Sequence, residues 1–378
     1  MSSKKYEKNH VSSKVYSLYY DYNINNIYGH LKGVNILNEI ININEKVSVS
    51  KASFESDFSN EVRTFKKPKS AFKMAHSSNL NEFNNNNNNN ELSSLLLASK
   101  IHKNVRYDIQ RKIRPGLSIY DLGIYINDRI RHYTNNTGYN GGIGFSPSLS
   151  VSDCIAHYSP TKTDNLKLKF DDNIKIDFGV HINGYIIDSA FTCYFDDKHN
   201  DIHKCCKEAL YEGLKEVGID APINNVSSNI EEVVNSYGYK IIKNLGGHNI
   251  KQYNIHGGEF VPNTKSILNT RRFTEGAWAV EPFISYKTTK YYNGKMKNNY
   301  RCYDKNSHIY EKFNNLIFTD SHIEYYNIDK NEINSMIKNN TIKTYEPLYI
   351  NNDIGVQYEH TVYINDSKKI ILSQHDDY

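Results

Sequence analysis

The segment from Lys175 to Phe195 contains two aspartates whose spacing would suit a metal centre. Its central Asn-Gly pair is a strong two-residue turn signal between runs of Ile, Val, Phe and Tyr, which predicts a β-hairpin. Pairing across that turn sets Gly179 opposite Asp188 and Ala190 opposite Asp177. Both carboxylates then project from one face, with their backbones roughly 7–8 Å apart. Such a pair would suit two bridged divalent cations, which lie about 3.5–4 Å apart in hydrolytic sites.

The alternative is that both aspartates face solvent, as aspartates usually do. Their neighbours in the two predicted strands are apolar, namely Ile176, Phe178, Ile187 and Phe191. An unpaired carboxylate among buried apolar side chains costs free energy. The apolar surroundings therefore favour a bound cation over two solvated carboxylates.

The second half of the chain offers partners for these aspartates. They are His248 and His256 in GGHNIKQYNIHGG, Glu281 in WAVEPF and Glu359 in VQYEHT. A histidine after two glycines is more often a turn residue than a ligand, whereas a glutamate inside an apolar strand is rare unless it is paired or metal-bound. Four carboxylates and one histidine form a hard, oxygen-rich set that favours two divalent ions such as Mn, Fe, Co or Zn.

Length and composition limit the class of protein. A chain of 378 residues with 38% hydrophobic content suits one large domain or two modest ones, and a net charge of +4 argues for neither a nucleic-acid nor a membrane partner. No run approaches ~18 apolar residues, so we expect no secretory signal, no membrane span and a cytoplasmic location. The five cysteines form no CxxC pair and are predicted to be reduced.

The chain divides by composition near residue 91. Residues 1–91 contain the run Asn84–Asn90, which has nothing apolar to bury and predicts a largely disordered N-terminal extension. Residues 92–378 carry all the candidate site residues and are predicted to form one catalytic domain.

Hydrophobic periodicity predicts the same order of elements twice. Apolar residues four apart predict a helix from Ser94, Ser118 is expected to cap a second helix, and strand-like segments fill residues 141–195. A helix from Asp201, another after the capping box Ser228–Glu231, and further strands follow. This pattern predicts an α+β fold of two related αα-β halves whose sheets join, with helices outside and a site between the halves.

Several segments resemble those of the type 2 methionine aminopeptidases, which have the pita-bread fold. They run in order from about Leu92 to Tyr378 and are CIAHYSP, KIDFGVHINGYIIDSAFT, NLGGHNIKQYNIHGG, EGAWAVEPF, VQYEHT and DDY. The resemblance implies two αα-β halves around a central antiparallel sheet. It also implies two divalent metal ions, with Asp188 and Glu359 bridging them, held by the five ligands Asp177, Asp188, His248, Glu281 and Glu359.

The same resemblance implies roles around the metals. His157 and His256 would be catalytic and substrate-binding histidines, Glu281 would be catalytic as well as a ligand, and Phe145 and Ile255 would line the pocket for the methionine side chain. The implied activity is removal of the initiator methionine from nascent proteins with a small second residue. Nascent N-termini would be the partners, with the ribosome as a further candidate, and we expect a monomer.

The long segment between Glu281 and Glu359 distinguishes type 2 from type 1. It includes the helical pattern Asn331–Ile337 and resembles the helical insert of type 2 enzymes, at about residues 290–350. One departure is that KMKNNYRCYDK lacks the histidine expected to face the pocket. Tyr300 is expected in its place.

Two other functions compete with this interpretation. Peptidases that cleave beside proline share the five ligands, but they usually follow the second aspartate with a polar IT-R pattern, whereas this chain continues Ser189-Ala190-Phe191-Thr192. They also usually have a separate N-terminal domain, for which residues 1–91 are too polar. A non-catalytic pita-bread module that binds protein or RNA would characteristically lose ligands, and here all five are present.

Overall fold

A computed structural model describes residues 91–135, 137 and 140–378 of the chain. The predicted disordered extension, apart from Glu91, lies outside the described residues. The chain divides into two units, one of residues 60–367 and 371–378 and the other of residues 1–59 and 368–370. Of the second unit the structure describes residues 368–370, which belong to strand β17 (Lys368–Ile371).

Two helices open the described part of the first unit. Helix α1 (Glu91–Lys112) begins slightly before the predicted start, with an acidic residue in its first turn that suits the helix dipole. Helix α2 (Ile119–Tyr133) begins as predicted, because the Ser118 side chain accepts a hydrogen bond from the Asp121 backbone N–H. In the apolar stripe of α1, Ile101, Val105 and Ile109 are fully buried, and Leu97 is partly buried.

The predicted hairpin is confirmed, register included. Strands β1 (Gly141–Val151), β3 (Asn173–Ile182) and β4 (Tyr185–Tyr194) form an antiparallel sheet with β3 in the middle, and β2 (Cys154–Ala156) follows β1. Gly179 lies opposite Asp188, and Asp177 lies opposite Ala190. Asn183 and Gly184 at the turn both have positive φ, as this type of turn requires.

The second helical pair is present, but one of its predicted boundaries is wrong. A short 3₁₀ turn (Asp197–His199) leads into α3 (Asn200–Lys215), and α4 (Ile223–Tyr237) follows. The supposed capping box Ser228–Glu231 lies inside α4, which begins directly after Pro222. The φ of Pro222 is −63°, which suits the start of a helix. The apolar face of α4 also extends one turn before the predicted start, through the buried Ile223 and Val226.

The second half supplies two further antiparallel sheets. One contains the neighbouring strands β16 (His360–Asn365), β8 (Gly276–Val280), β6 (Gly246–Ile250) and β7 (Phe260–Pro262). The other contains β15 (Gly355–Gln357), β9 (Phe283–Ser285) and β5 (Lys240–Ile241). The two halves meet where the Glu359 N–H donates to Ala190 O over 2.9 Å. The doubled helix-helix-strand order is therefore confirmed.

The insert contains the predicted helix, two shorter helices and a small sheet. Helices α5 (His308–Phe313), α6 (Asp320–Tyr325) and α7 (Lys330–Lys338) accompany a sheet of β11 (Asn299–Cys302), β12 (Phe318–Thr319) and β13 (Ile342–Tyr345). Strands β10 (Tyr292–Asn293) and β14 (Leu348–Tyr349) pair at its base. The insert has an apolar core of its own. The sheet was not predicted, because strands of two to four residues are too short to show alternation.

Two composition-based expectations can be compared with the described residues. All five cysteines are buried and none forms a disulfide, as predicted. Within the described ranges, no helix is both long and apolar enough to cross a membrane.

Candidate metal centre

The five predicted ligands lie at strand positions that converge. Asp177 on β3 and Asp188 on β4 share one face of the hairpin sheet. His248 is inside β6, Glu281 directly follows β8, and Glu359 directly precedes β16. Each side chain is thus held by a strand or a strand end, which gives a stable position for a ligand.

The glycine before His248 is required by the packing of neighbouring strands. A Cβ at Gly247 would collide with Ala279 O of the adjacent strand β8. Only glycine therefore lets β6 and β8 approach closely, and this approach brings His248 towards Glu281 at the end of β8. The GGH pattern thus positions a side chain in a sheet and is not only a turn signal.

Distances place four of these residues around one point. His248 Nε2 lies 3.4 Å from Asp188 Oδ2 and 3.6 Å from Glu281 Oε1. Asp188, His248 and Glu359 each offer a ligand atom within 4.8 Å of the others, and all three are buried. Only nitrogen and oxygen atoms converge here, which is the donor set that suits divalent Mn, Fe, Co or Zn.

The carboxylates interact strongly with one another. Burial raises the pKa of Asp177, Glu281 and Glu359 well above their usual values, and the charge of Asp188 raises each of them further. Neighbouring carboxylates disfavour each other's ionisation unless positive charge is supplied. Four carboxylates with a formal charge of −4 would be balanced by two divalent cations with a charge of +4.

Unpartnered oxygens provide a second indication of a cation site. Among the described residues, no hydrogen-bond partner is found for Glu359 Oε1, Glu359 Oε2 or Asp177 Oδ1, and all three atoms are buried. A buried carboxylate oxygen without a donor is costly unless a cation lies beside it. The residues present therefore fit bound divalent metal.

Gln357 belongs to this centre and was not predicted. Its side chain is 1% exposed, and its Nε2 donates to Glu281 Oε2 over 3.2 Å. A hydrogen bond from the same side chain lowers the pKa of Asp177, although burial and Asp188 outweigh it. One sequence signal could have found it, because residues two apart in an extended strand share a face and Gln357 is two residues before Glu359.

The two histidines predicted to contact the substrate lie beside the predicted ligands. The His256 ring packs edge-on against the His248 ring at a centroid distance of 4.6 Å. Although part of His256 is exposed to solvent, the protein atoms around its ring, followed by the charge of His248, lower its pKa below the usual value. It is therefore a neutral imidazole at neutral pH, with one N–H to donate.

His157 has an unusual backbone. Its φ is +65°, a left-handed conformation that costs of order 1–3 kcal/mol for a residue other than glycine and is often found at functional sites. Its carbonyl oxygen accepts a hydrogen bond of 3.0 Å from Asn299 Nδ2 of the insert. Burial lowers the pKa of His157, with Asp188 and His248 among the smaller influences. His157 is therefore also neutral and lies near the ligands.

The predicted pocket residues are both buried. Phe145 on β1 is 9% exposed, and its ring packs directly over Gly179, where a Cβ would collide with it. Phe145 also forms an isolated bridge with Ile317 of the insert. Ile255 is 3% exposed and precedes His256 in the loop between β6 and β7.

The expectation for Tyr300 is wrong. Its side chain lies in the apolar core of the insert and is 1% exposed, and its hydroxyl oxygen lies 2.8 Å from both Lys297 O and Asp320 Oδ1. In the extended strand β11, neighbouring side chains point to opposite faces. The preceding residue, Asn299, therefore reaches the site, through the carbonyl of His157.

Most of the chain is similar to known proteins. The model of metallopeptidase family M24 matches residues 94–366. The methionine aminopeptidase 2 of Komagataella phaffii is 35% identical over 314 residues, which cover 74% of this chain and 69% of the relative. That of Clavispora lusitaniae is 33% identical over 307 residues, covering 74% and 71%. A solved methionine aminopeptidase from Rickettsia prowazekii shares the fold, with a TM-score of 0.55, 15% identity and coverage of 75% of this chain and 97% of that one.

Proposed function

The chain belongs to metallopeptidase family M24, and we propose that it removes the initiator methionine from nascent proteins by means of two divalent metal ions. It is a methionyl aminopeptidase of the type 2 group. The observation that supports the detailed proposal is the convergence of four carboxylates and His248 in one buried centre, with three carboxylate oxygens lacking donors. Such a centre is costly to fold without cations and suits a pair of them.

The ligands of the two ions would be five side chains. Asp188 and Glu359 offer ligand atoms within 4.8 Å of each other and of His248, and we propose that both ions share these two carboxylates. Bound divalent ions lower the pKa of water and polarise a carbonyl oxygen, which is what peptide hydrolysis needs. The complete set is Asp177, Asp188, His248, Glu281 and Glu359.

The protein's own groups would handle the protons and the developing charge. Glu281 would accept a proton from the attacking water and release it to the departing amine. His157 and His256 are neutral, so each can donate an N–H to the negative charge that develops on the carbonyl oxygen. Gln357 holds the Glu281 carboxylate in place through its 3.2 Å hydrogen bond.

Substrate selection would depend on two apolar walls. Phe145 and Ile255 are proposed to enclose the methionine side chain, and we propose a preference for a small second residue. The substrates would be free N-termini of nascent polypeptides, met at or near the ribosome. The protein would then act in the cytoplasm, as a monomer, without a nucleic-acid requirement.

Metal-dependent turnover of matched peptides tests the proposal. The purified protein is treated with a chelator, titrated with Mn or Co, and assayed with Met-Ala-Ser and with Ala-Pro peptides. We expect no turnover after chelation, and recovery of Met-Ala-Ser cleavage as two metal equivalents bind. Hydrolysis of Ala-Pro peptides alone would instead identify an Xaa-Pro peptidase.

Two further outcomes would contradict the proposal. Full activity after chelation would exclude a metal-dependent reaction. A protein that binds metal but cleaves neither peptide would favour the non-catalytic module. Glu359→Ala provides the matched variant: because it removes a shared ligand, it should bind fewer than two equivalents and resemble the chelated protein.

A further inference from the structure

Tyr378 is buried next to the metal centre, yet no role described so far uses it. It ends the Asp-Asp-Tyr motif, and its side chain is 7% exposed. Its hydroxyl oxygen lies 2.9 Å from Ser189 Oγ, 2.9 Å from Ala190 O and 3.4 Å from Glu359 O. These groups are either adjacent to the ligand Asp188 or part of the ligand Glu359.

Ser189 connects the Tyr378 hydroxyl to Glu359. Its hydroxyl donates to Glu359 O over 2.7 Å. Since each hydroxyl has one proton, Tyr378 can donate to Ser189 Oγ while Ser189 donates to Glu359 O. Burial raises the pKa of Tyr378, so its hydroxyl keeps its proton. Two hydroxyls therefore link the backbone of strand β4 to the backbone of Glu359.

The Tyr378 ring is fixed by two contacts. Arg106 of α1 lies over the ring at 4.5 Å, and its Nη1 donates to the hydroxyl over 3.3 Å. Arg106 is itself held by an ion pair of 2.8 Å with Asp377, and both side chains are almost fully buried. The His360 ring also stacks on Tyr378, with centroids 4.6 Å apart and an angle of 8°. The hydroxyl therefore has little freedom to move.

The position of this link matters for a metal pair. Asp188 and Glu359 come from different halves of the fold, and their carboxylates must lie at a defined separation to hold the same ions. Thr361 ties the same two strands on the other side, since its hydroxyl accepts from Asp188 N over 2.9 Å and donates to Asp188 O over 2.6 Å. Removal of the Tyr378 hydroxyl would leave the Ser189 hydroxyl without the group that orients it, so that its hydrogen bond to Glu359 O would be less well fixed.

We propose that Tyr378 is a positioning residue for the metal ligands Asp188 and Glu359, acting through Ser189. The inference rests on the proposed function, because it assumes that these two carboxylates bind metal. Groups that orient metal ligands typically contribute about 10–100-fold to metal affinity. Tyr378 and Ser189 should therefore affect how tightly metal binds more than the chemistry of the loaded enzyme.

Calorimetric titration of metal into the chelator-treated full chain tests this inference. Tyr378→Phe removes only the hydroxyl and should weaken Mn binding about 10–100-fold. Its turnover of Met-Ala-Ser should be low at limiting metal and recover at saturating metal. Ser189→Ala should behave alike, and the double variant should lose much less than the product of the two single effects, since both act on Glu359.

Tyr237→Phe is the matched control, because its hydroxyl donates to Glu208 Oε2 over 2.6 Å on the exposed surface. It should bind metal as wild type does. If wild type binds no metal, the proposed function fails. If wild type binds two equivalents and the Tyr378→Phe and Ser189→Ala variants bind them equally tightly, the positioning role is wrong and the proposed function stands. Should Tyr378→Phe not fold, Ser189→Ala decides by the same two criteria.

Discussion

Gln357 Nε2 donates a hydrogen bond of 3.2 Å to Glu281 Oε2 inside the metal centre. The amide is a neutral donor among four carboxylates, so it stabilises charge without competing for metal. Its backbone is fixed as well, because Thr192 Oγ1 accepts from Gln357 N over 3.0 Å and donates to Gln357 O over 2.6 Å. Gln357 thus fixes the orientation of Glu281.

Replacement of Gln357 should therefore impair the centre without removing a ligand. Gln357→Leu removes the donor while keeping the volume similar, and we expect metal affinity and kcat/KM each to fall by about 10–100-fold. Gln252→Leu is the control, since that exposed amide donates only to a turn carbonyl, Asn183 O. Unchanged metal affinity in Gln357→Leu would show that Glu281 needs no orienting group.

His157 should act on the substrate and not on the metal. His157→Ala removes one N–H donor to the developing charge, so kcat should fall roughly 10²–10³-fold. The metal content should stay at the wild-type value, as measured by elemental analysis of the purified protein. A missing ion in this variant would identify His157 as a ligand.

Gly179 should control the position of the pocket wall. Because a Cβ at Gly179 would collide with the Phe145 ring, Gly179→Ala should displace that ring and raise KM for Met-Ala-Ser. Overpacking of this kind also costs about 1–3 kcal/mol of the free energy of unfolding. Gly218→Ala is the matched control, because a Cβ there meets nothing within 4 Å. An unaltered KM in Gly179→Ala would mean that Phe145 does not line the substrate pocket.

The hairpin could be predicted from the sequence because its turn chemistry is local. Asn183-Gly184 sets the register, and the register places Asp177 and Asp188 on one face. Of the remaining predicted ligands, Glu281 and Glu359 could be singled out because a glutamate in an apolar strand is rare, and the structure brings both near His248. Their binding of two ions stays a prediction.

Other features depend on tertiary contacts that no local pattern encodes. Gln357 lies two residues before Glu359 in the sequence, but only the fold places its amide against Glu281. The predicted start of α4 at Ser228 is too late, because burial of Ile223 outweighs the capping preference of Ser228. The sequence predicts the wrong position for the Tyr300 side chain, because strands as short as β11 show no pattern from which the sheet can be predicted. That sheet turns the side chain into the core of the insert.

The catalytic domain should fold without residues 1–90. Helix α1 begins at Glu91 and packs on the hairpin sheet, and every candidate site residue lies beyond it. A shortened chain that begins at Glu91 should therefore be soluble and cleave Met-Ala-Ser at a rate similar to that of the full chain. Deletion of Asn84–Asn90 alone is the control. Loss of soluble, active protein only on the larger truncation would show that residues before the Asn run contribute to the fold.

His181, at the end of the hairpin, should make the protein sensitive to acid. Its ring is 2% exposed, its Nδ1 accepts from Gly184 N over 3.2 Å, and burial lowers its pKa to about 4. In the unfolded chain its pKa would be about 6.5. Between these values the unfolded chain binds the proton and the folded protein does not, so the stability contributed by His181 is lost as the pH falls from about 6.5 to about 4.

The size of this effect can be estimated and isolated. Between pH 7 and pH 5 the contribution of His181 corresponds to about 2 kcal/mol of the free energy of unfolding. Other buried histidines, such as His102, His203 and His360, have lowered pKa values as well, so the wild type should lose more than about 2 kcal/mol in total.

His181→Asn isolates the effect of His181, because it keeps an acceptor for Gly184 N but cannot titrate. Urea unfolding at both pH values should show a loss about 2 kcal/mol smaller in His181→Asn than in wild type, whereas His132→Asn, at an exposed position, should match wild type. Equal losses in wild type and His181→Asn would mean that His181 becomes protonated in the folded protein as readily as in the unfolded chain.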